Sequence, residues 1–96
     1  MKNYYIYIMT NKSNSVLYIG VTNNLVRRVY EHKNDFVEGF TKRYKCHKLV
    51  WYQETTDVYS AIYQEKLMKK WKRQYKINAI LRINPQWRDL YDEILL

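Results

Sequence analysis

Residues 4–9, "YYIYIM", and 16–20, "VLYIG", are two runs of tyrosine and aliphatic residues separated by the polar stretch "TNKSNS". Tyr, Ile and Val suit a pleated, half-buried surface, and asparagines and serines suit a turn, so the unit reads as an antiparallel β-hairpin. With Met9 opposite Val16 across the loop, Tyr7 and Tyr18 face each other directly and share one face of the sheet, with Cβ atoms roughly 5 Å apart. A slip of one residue would send one ring to the other face, so the pairing hangs on the register. The second run ends on Gly20, one of two glycines in the chain.

Beyond Gly20, "VTNNLVRRVYEHKNDF" offers Asn23 or Asn24 as the cap of a helix starting at Leu25. Leu25, Val29 and Phe36 mark its apolar stripe, and helical spacing puts Arg28 and His32 inside that stripe while Arg27 and Glu31 point away. Two polar side chains on an inward face are either satisfied by hydrogen bonds, with their heads reaching past the core, or held there for chemistry. A basic loop, "GFTKRYKCH", leads to a third strand, "KLVWYQE", at 48–54.

A long helical run follows, "VYSAIYQEKLMKKWKRQYKINAIL" at 58–81, with Asp57 as its cap and Val58, Ala61, Ile62, Met68 and Tyr75 on its apolar side. Glu65 falls at the centre of the face formed by Val58, Ala61, Ile62 and Met68, where an ionised carboxylate is unfavourable unless a cation or donors meet it. A Lys69 salt bridge at i,i+4 is the plain structural answer. Asn84 and Pro85 read as cap and first residue of a short closing helix through Trp87 and Leu90.

With 96 residues the chain suits one domain spanning 1–96. It holds 17 Lys and Arg against nine Asp and Glu, a net charge of +8 that favours a polyanionic partner, nucleic acid foremost. No stretch approaches the roughly 20 apolar residues of a membrane helix, and the N-terminus lacks a signal-peptide run. The single cysteine, Cys46, cannot form an internal disulfide; it reads as a small side chain near a strand, and a cytoplasmic, reducing location fits.

Together, "YIY" at Tyr5 to Tyr7, "YIG" at Tyr18 to Gly20, Arg28 and His32 one helical turn apart and Glu65 on a later helix resemble the GIY-YIG nuclease family. The resemblance is to its small bacterial members, related to the catalytic domain of the repair excinuclease subunit UvrC, and the segments "FVEGFTKRY" and "NPQWRDL" extend it. Tyr5 stands where the first triplet carries glycine, and Asn78 is a counterpart of an asparagine that follows the glutamate in some members.

The resemblance implies an α+β fold, a three-stranded antiparallel sheet flanked by helices in the order β-β-α-β-α-α. It also implies a divalent-metal-dependent endonuclease acting on DNA, with repair or recombination as settings. Tyr7, Tyr18, Arg28, His32 and Glu65 would be its catalytic residues. Glu65 would bind one Mg²⁺ or Mn²⁺, Arg28 would hold the phosphate, Tyr7 would help deprotonate water, and Gly20 would let the backbone turn where strand meets helix. Lys42, Arg43, Lys45, Lys69, Lys70, Lys72 and Arg73 are candidates for contacting flanking phosphates. A nucleic-acid-binding module without catalysis, or an accessory subunit docking a protein partner, are the competing readings.

Overall fold

A computed structural model describes residues 2–96. Its elements run β1 (Tyr4–Thr10), β2 (Leu17–Thr22), α1 (Leu25–Lys33), α2 (Phe40–Arg43), β3 (Lys48–Thr55), α3 (Val58–Lys69), α4 (Arg73–Ile83) and α5 (Tyr91–Ile94). The three strands form one antiparallel sheet in the order β2-β1-β3, as expected of the α+β arrangement. Alternation along β1 feeds two interiors. Ile6 and Ile8 pack with Ile19, Val50, Ala61, Met68 and Ile80 under α3 and α4, and Tyr7 and Met9 pack with Leu25, Val29, Cys46, Leu49 and Leu90 under α1 and α5.

The hairpin register differs from the expected one by two residues. Tyr7 lies opposite Gly20, and Tyr18 lies opposite Met9. The loop keeps six residues but sits one position later, at 11–16, because Asn11 Oδ1 accepts from the backbone N–H groups of Ser15 and Val16, and Thr10 Oγ1 donates to the Val16 carbonyl, holding Val16 out of the ladder. A shift of two preserves the face, so both tyrosines remain on one side as diagonal neighbours.

Gly20 also has a different task. It lies within β2 and is buried, and a Cβ there would come 2.4 Å from the Tyr7 hydroxyl oxygen. The glycine makes room for a ring rather than for a turn; the left-handed glycine is Gly39, at φ 106°.

α1 is capped by Asn24, whose Oδ1 accepts from the Arg27 N–H at 3.1 Å. Its inward residues are Leu25, Val29 and His32; Phe36 lies beyond the helix end and is 65% exposed. Asp57 caps α3 as expected, accepting from the Tyr59 N–H and the Ser60 hydroxyl.

The run at 58–81 is two helices, not one. A straight helix of that length would extend ~36 Å, past a molecule measuring 35 × 28 × 27 Å. The break at residues 70–72 brings Trp71 and Ile80 back onto the cluster that Ala61 and Met68 began, and it leaves Tyr75 exposed.

Asn84 does not start a helix either. It is the buried C-cap of α4, and its side-chain amide donates to the carbonyls of Val50 and Arg88 and accepts from the Arg88 N–H. The Val50 carbonyl needs a partner because β3 is bulged there: Trp51 pairs with Ile8 and Leu49 with Met9, leaving Val50 between them. Residues 84–90 therefore run along β3, the Leu90 N–H donating to the Leu49 carbonyl at 2.7 Å, and the closing helix begins only at Tyr91.

Candidate active site

The hairpin, α1 and α2 meet around a buried hydroxyl. The Tyr7 ring is fully enclosed over Gly20, and its Oη lies 2.8 Å from His32 Nε2. On the far side of the imidazole, Nδ1 lies 3.0 Å from Thr41 Oγ1. Tyr18 completes an aromatic cluster, its ring centroid 6.3 Å from Tyr7 and 5.5 Å from His32. Phe40 stacks on the outer side of Tyr18 at 6.0 Å and touches Tyr44 in turn. Leu17, Tyr18 and Ile19 of edge strand β2 line a shallow cavity of ≈ 240 Å³ with Phe40, Lys69 and Lys76.

Electrostatics link this cluster to Arg28 and Glu65. Burial pushes the Tyr7 phenol well above the usual tyrosine range, neighbouring Tyr18 adds to the rise, the Arg28 guanidinium offsets part of it and the Glu65 carboxylate raises it again. Burial, then the charge of Arg28, hold the His32 imidazole down at about 4, with Glu31 pulling the other way. At neutral pH the pair is therefore an uncharged phenol against an uncharged imidazole.

Arg28 keeps its side chain 34% exposed, and its enclosed Nε stands 3.3 Å from a Glu31 carboxylate oxygen, an ion pair that falls short of hydrogen-bond geometry. The planar fork of a partly exposed guanidinium suits an oxygen-rich group such as a phosphate.

Glu65 is only 14% exposed in its side chain, and Lys69 meets it at 3.2 Å, the i,i+4 pair expected. No group of three or more His, Cys, Asp or Glu side chains converges among the described residues, so an all-protein metal cage is absent there. A lone shielded carboxylate does fit a Mg²⁺-type ion, which takes one or two carboxylates and fills its remaining positions with water and substrate oxygens.

Tyr7, Tyr18, Arg28, His32 and Glu65 thus come to one region. The basic residues scatter more widely. Lys42 pairs with Glu38 at 3.0 Å, Arg43 lies over the Tyr44 ring, and Lys45 lines a larger cavity of ≈ 910 Å³ with Lys12, Lys33 and Lys48. Lys70 and Lys72 are exposed at the break between α3 and α4, and Arg73 donates to the Asn14 carbonyl. Asn78 is exposed and accepts from Gln74, with no contact to the tyrosine–histidine cluster.

Cys46 is buried with its thiol pushed up to about 11, in keeping with a packing role. Sequence reasoning missed Thr41 and Phe40. Both sit in "FVEGFTKRY", whose likeness to the small bacterial members was the signal available.

The fold is thus an α+β sheet whose central strand closes a tyrosine against a histidine from the following helix. The chain matches the GIY-YIG catalytic domain over residues 3–78, and it belongs to that nuclease-type family. Its fold is similar to that of a UPF0213 protein from Bacillus halodurans solved by solution NMR, with a TM-score of 0.58 over 91% of this chain and 92% of that one, at 23% identity. No curated protein matches the chain. Among the described residues no helix is long and apolar enough to cross a membrane.

Proposed function

We propose that this protein is a divalent-metal-dependent endonuclease that hydrolyses phosphodiester bonds in DNA. The observation that carries the reading is the 2.8 Å contact between Tyr7 Oη and His32 Nε2 beside Arg28. A phenol this buried does not ionise at neutral pH, so Tyr7 can take a proton from water only while passing its own hydrogen on. His32 Nε2 is the acceptor within reach. Arg28 binds the scissile phosphate, and the phosphate's negative charge offsets the Arg28 charge that, after burial, holds His32 down, which makes the imidazole a better acceptor when substrate is present. Tyr18, at the mouth of the β2 cavity, orients the phosphate or the attacking water.

Glu65 would hold the cation, after release from Lys69, and that cation would supply electrostatic stabilisation of charge on the phosphate and the leaving oxygen. The basic side chains around Lys69, Lys70 and Lys72 carry flanking phosphates and make binding salt-dependent. A cytoplasmic setting in repair or recombination accords with this chemistry.

The Lys69–Glu65 pair favours a second reading, a nucleic-acid-binding module in which Glu65 only supports the helix. One experiment separates them: cleavage of labelled single-stranded, double-stranded and branched DNA and of RNA, with Mg²⁺, Mn²⁺ or EDTA, by wild type and Glu65→Ala. Metal-dependent cutting that the variant loses while binding DNA equally well supports the nuclease. Equal binding with no cutting by either protein hands the case to the binding module.

A further inference from the structure

Thr41 is a threonine in a short basic helix whose neighbours Phe40, Lys42 and Arg43 are all exposed, and yet it is 2% exposed itself. Its hydroxyl has one hydrogen-bond partner among the described residues, His32 Nδ1 at 3.0 Å. The three side chains form a line, Tyr7 hydroxyl to imidazole to Thr41 hydroxyl, drawn from β1, α1 and α2. A neutral imidazole carries one hydrogen, so the line can be polarised in two ways. Either Tyr7 donates to Nε2 and Nδ1–H donates to Thr41, or Thr41 donates to Nδ1 and Nε2–H donates to Tyr7.

Each arrangement leaves one buried hydroxyl hydrogen without an acceptor, and physical chemistry ranks them. A phenol is a far stronger hydrogen-bond donor than an aliphatic alcohol, so leaving the Tyr7 hydrogen idle forfeits more.

We propose that Thr41 is the positioning residue of this site: its oxygen accepts the Nδ1 hydrogen of His32 and so keeps the Nε2 lone pair aimed at the Tyr7 hydroxyl. The tautomer stands on the hydrogen-bond geometry and the donor strengths of the two hydroxyls, while its consequence for rate rests on the nuclease reading.

In that reading, water gives a proton to Tyr7 Oη as Tyr7 passes its own hydrogen to Nε2, and the water oxygen bonds to phosphorus. The bond from phosphorus to the leaving oxygen breaks, and that oxygen takes a proton from solvent. His32, now an imidazolium still donating Nδ1–H to Thr41, later returns its extra proton to solvent. With the hydrogen on Nε2 instead, Tyr7 would have nowhere to send its own.

The test is nitrogen NMR on histidine-labelled protein, which distinguishes protonated from bare ring nitrogens, paired with the cleavage assay. Wild type and Thr41→Ser are expected to show His32 with hydrogen on Nδ1. Thr41→Val is expected to move hydrogen toward Nε2 and to lower kcat about tenfold to a hundredfold, less than the roughly 10²–10⁴ that the proton-transfer group itself supplies, with DNA affinity unchanged and serine restoring the rate. Should the valine variant fail to fold, Thr41→Ala reads the same signals. Hydrogen on Nε2 in wild type, or an unchanged tautomer in the valine or alanine variant, overturns the proposal. A wild type that cuts nothing yet keeps the Nδ1 hydrogen sinks the nuclease reading and leaves the Thr41 assignment standing.

Discussion

The two faces of the sheet are built from alternate residues of the same strand and differ in kind. Beneath α3 and α4, Ile6, Ile8, Val50, Ala61, Met68 and Ile80 bury hydrocarbon alone. Beneath α1, the same strand buries the Tyr7 hydroxyl and meets an imidazole, with a threonine hydroxyl behind it. Burying apolar surface stabilises without demanding orientation, whereas a buried polar group is favourable only when its partners sit at the right distance and angle. One face supplies stability and can be varied in detail. The other fixes three side chains relative to one another.

The comparison breaks most sharply on a pair of substitutions in β1. Tyr7→Phe is expected to lower the cleavage rate by roughly 10²–10⁴ and stability by about 1–3 kcal/mol, because a buried imidazole nitrogen loses its partner. Ile8→Ala is expected to lose about 2–5 kcal/mol of stability with the rate per folded molecule kept. Denaturant unfolding and cleavage kinetics on both variants read this crossover, and a shared pattern of loss would erase the distinction.

Gly20→Ala tests the contact between strands within the polar face. Its new methyl group would meet the Tyr7 hydroxyl at 2.4 Å, so the ring must move off His32. Overpacking of this kind lowers stability by about 1–3 kcal/mol, and cleavage should fall with it; retention of full activity would show that the Tyr7–His32 contact is dispensable.

A further effect is in pH. The folded pKa of His32 is depressed from 6.5 to about 4, so between those values the unfolded chain binds more protons. The stability that His32 contributes as a neutral side chain is present above pH 6.5 and is lost as pH falls toward 4, with no further loss from this group below that. Asp35 and Asp57, held below 3.8 by the hydrogen bonds from His47 and Ser60 respectively, lose their contributions only as pH drops below that value. Unfolding curves across pH 4–6.5 should therefore slope less in His32→Asn than in wild type; parallel curves would mean that His32 is charged in the folded state.

These contrasts also explain what could be read in the sequence. Alternation in β1, the Asn24 and Asp57 caps, and the placement of Arg28 and His32 on one helical face are local patterns, and each is legible from neighbours a few residues away. The pairing of Tyr7 with Gly20 was not legible, because it depends on how Asn11 folds the loop back on its own backbone. The break between α3 and α4 follows from the size of the core rather than from any Gly or Pro within residues 70–72. Asn84 looked like a helix start because asparagine before proline commonly is one, and only the bulge at Val50 gives its amide another task. Thr41 was hidden for the same reason: the imidazole it meets comes from a different helix.

The covering of β3 by residues 84–90 has a bearing on synthesis. Until that stretch has left the ribosome, the backbone groups of Leu49 and Val50 have neither Asn84 nor Leu90 to bond, and the strand's outer border is open to pairing with another chain. This late stretch is thus a seal on a sheet whose strands were all complete some thirty residues earlier. Nascent or truncated forms ending before Asn84 would be chaperone clients, however well their tyrosines and helices had formed.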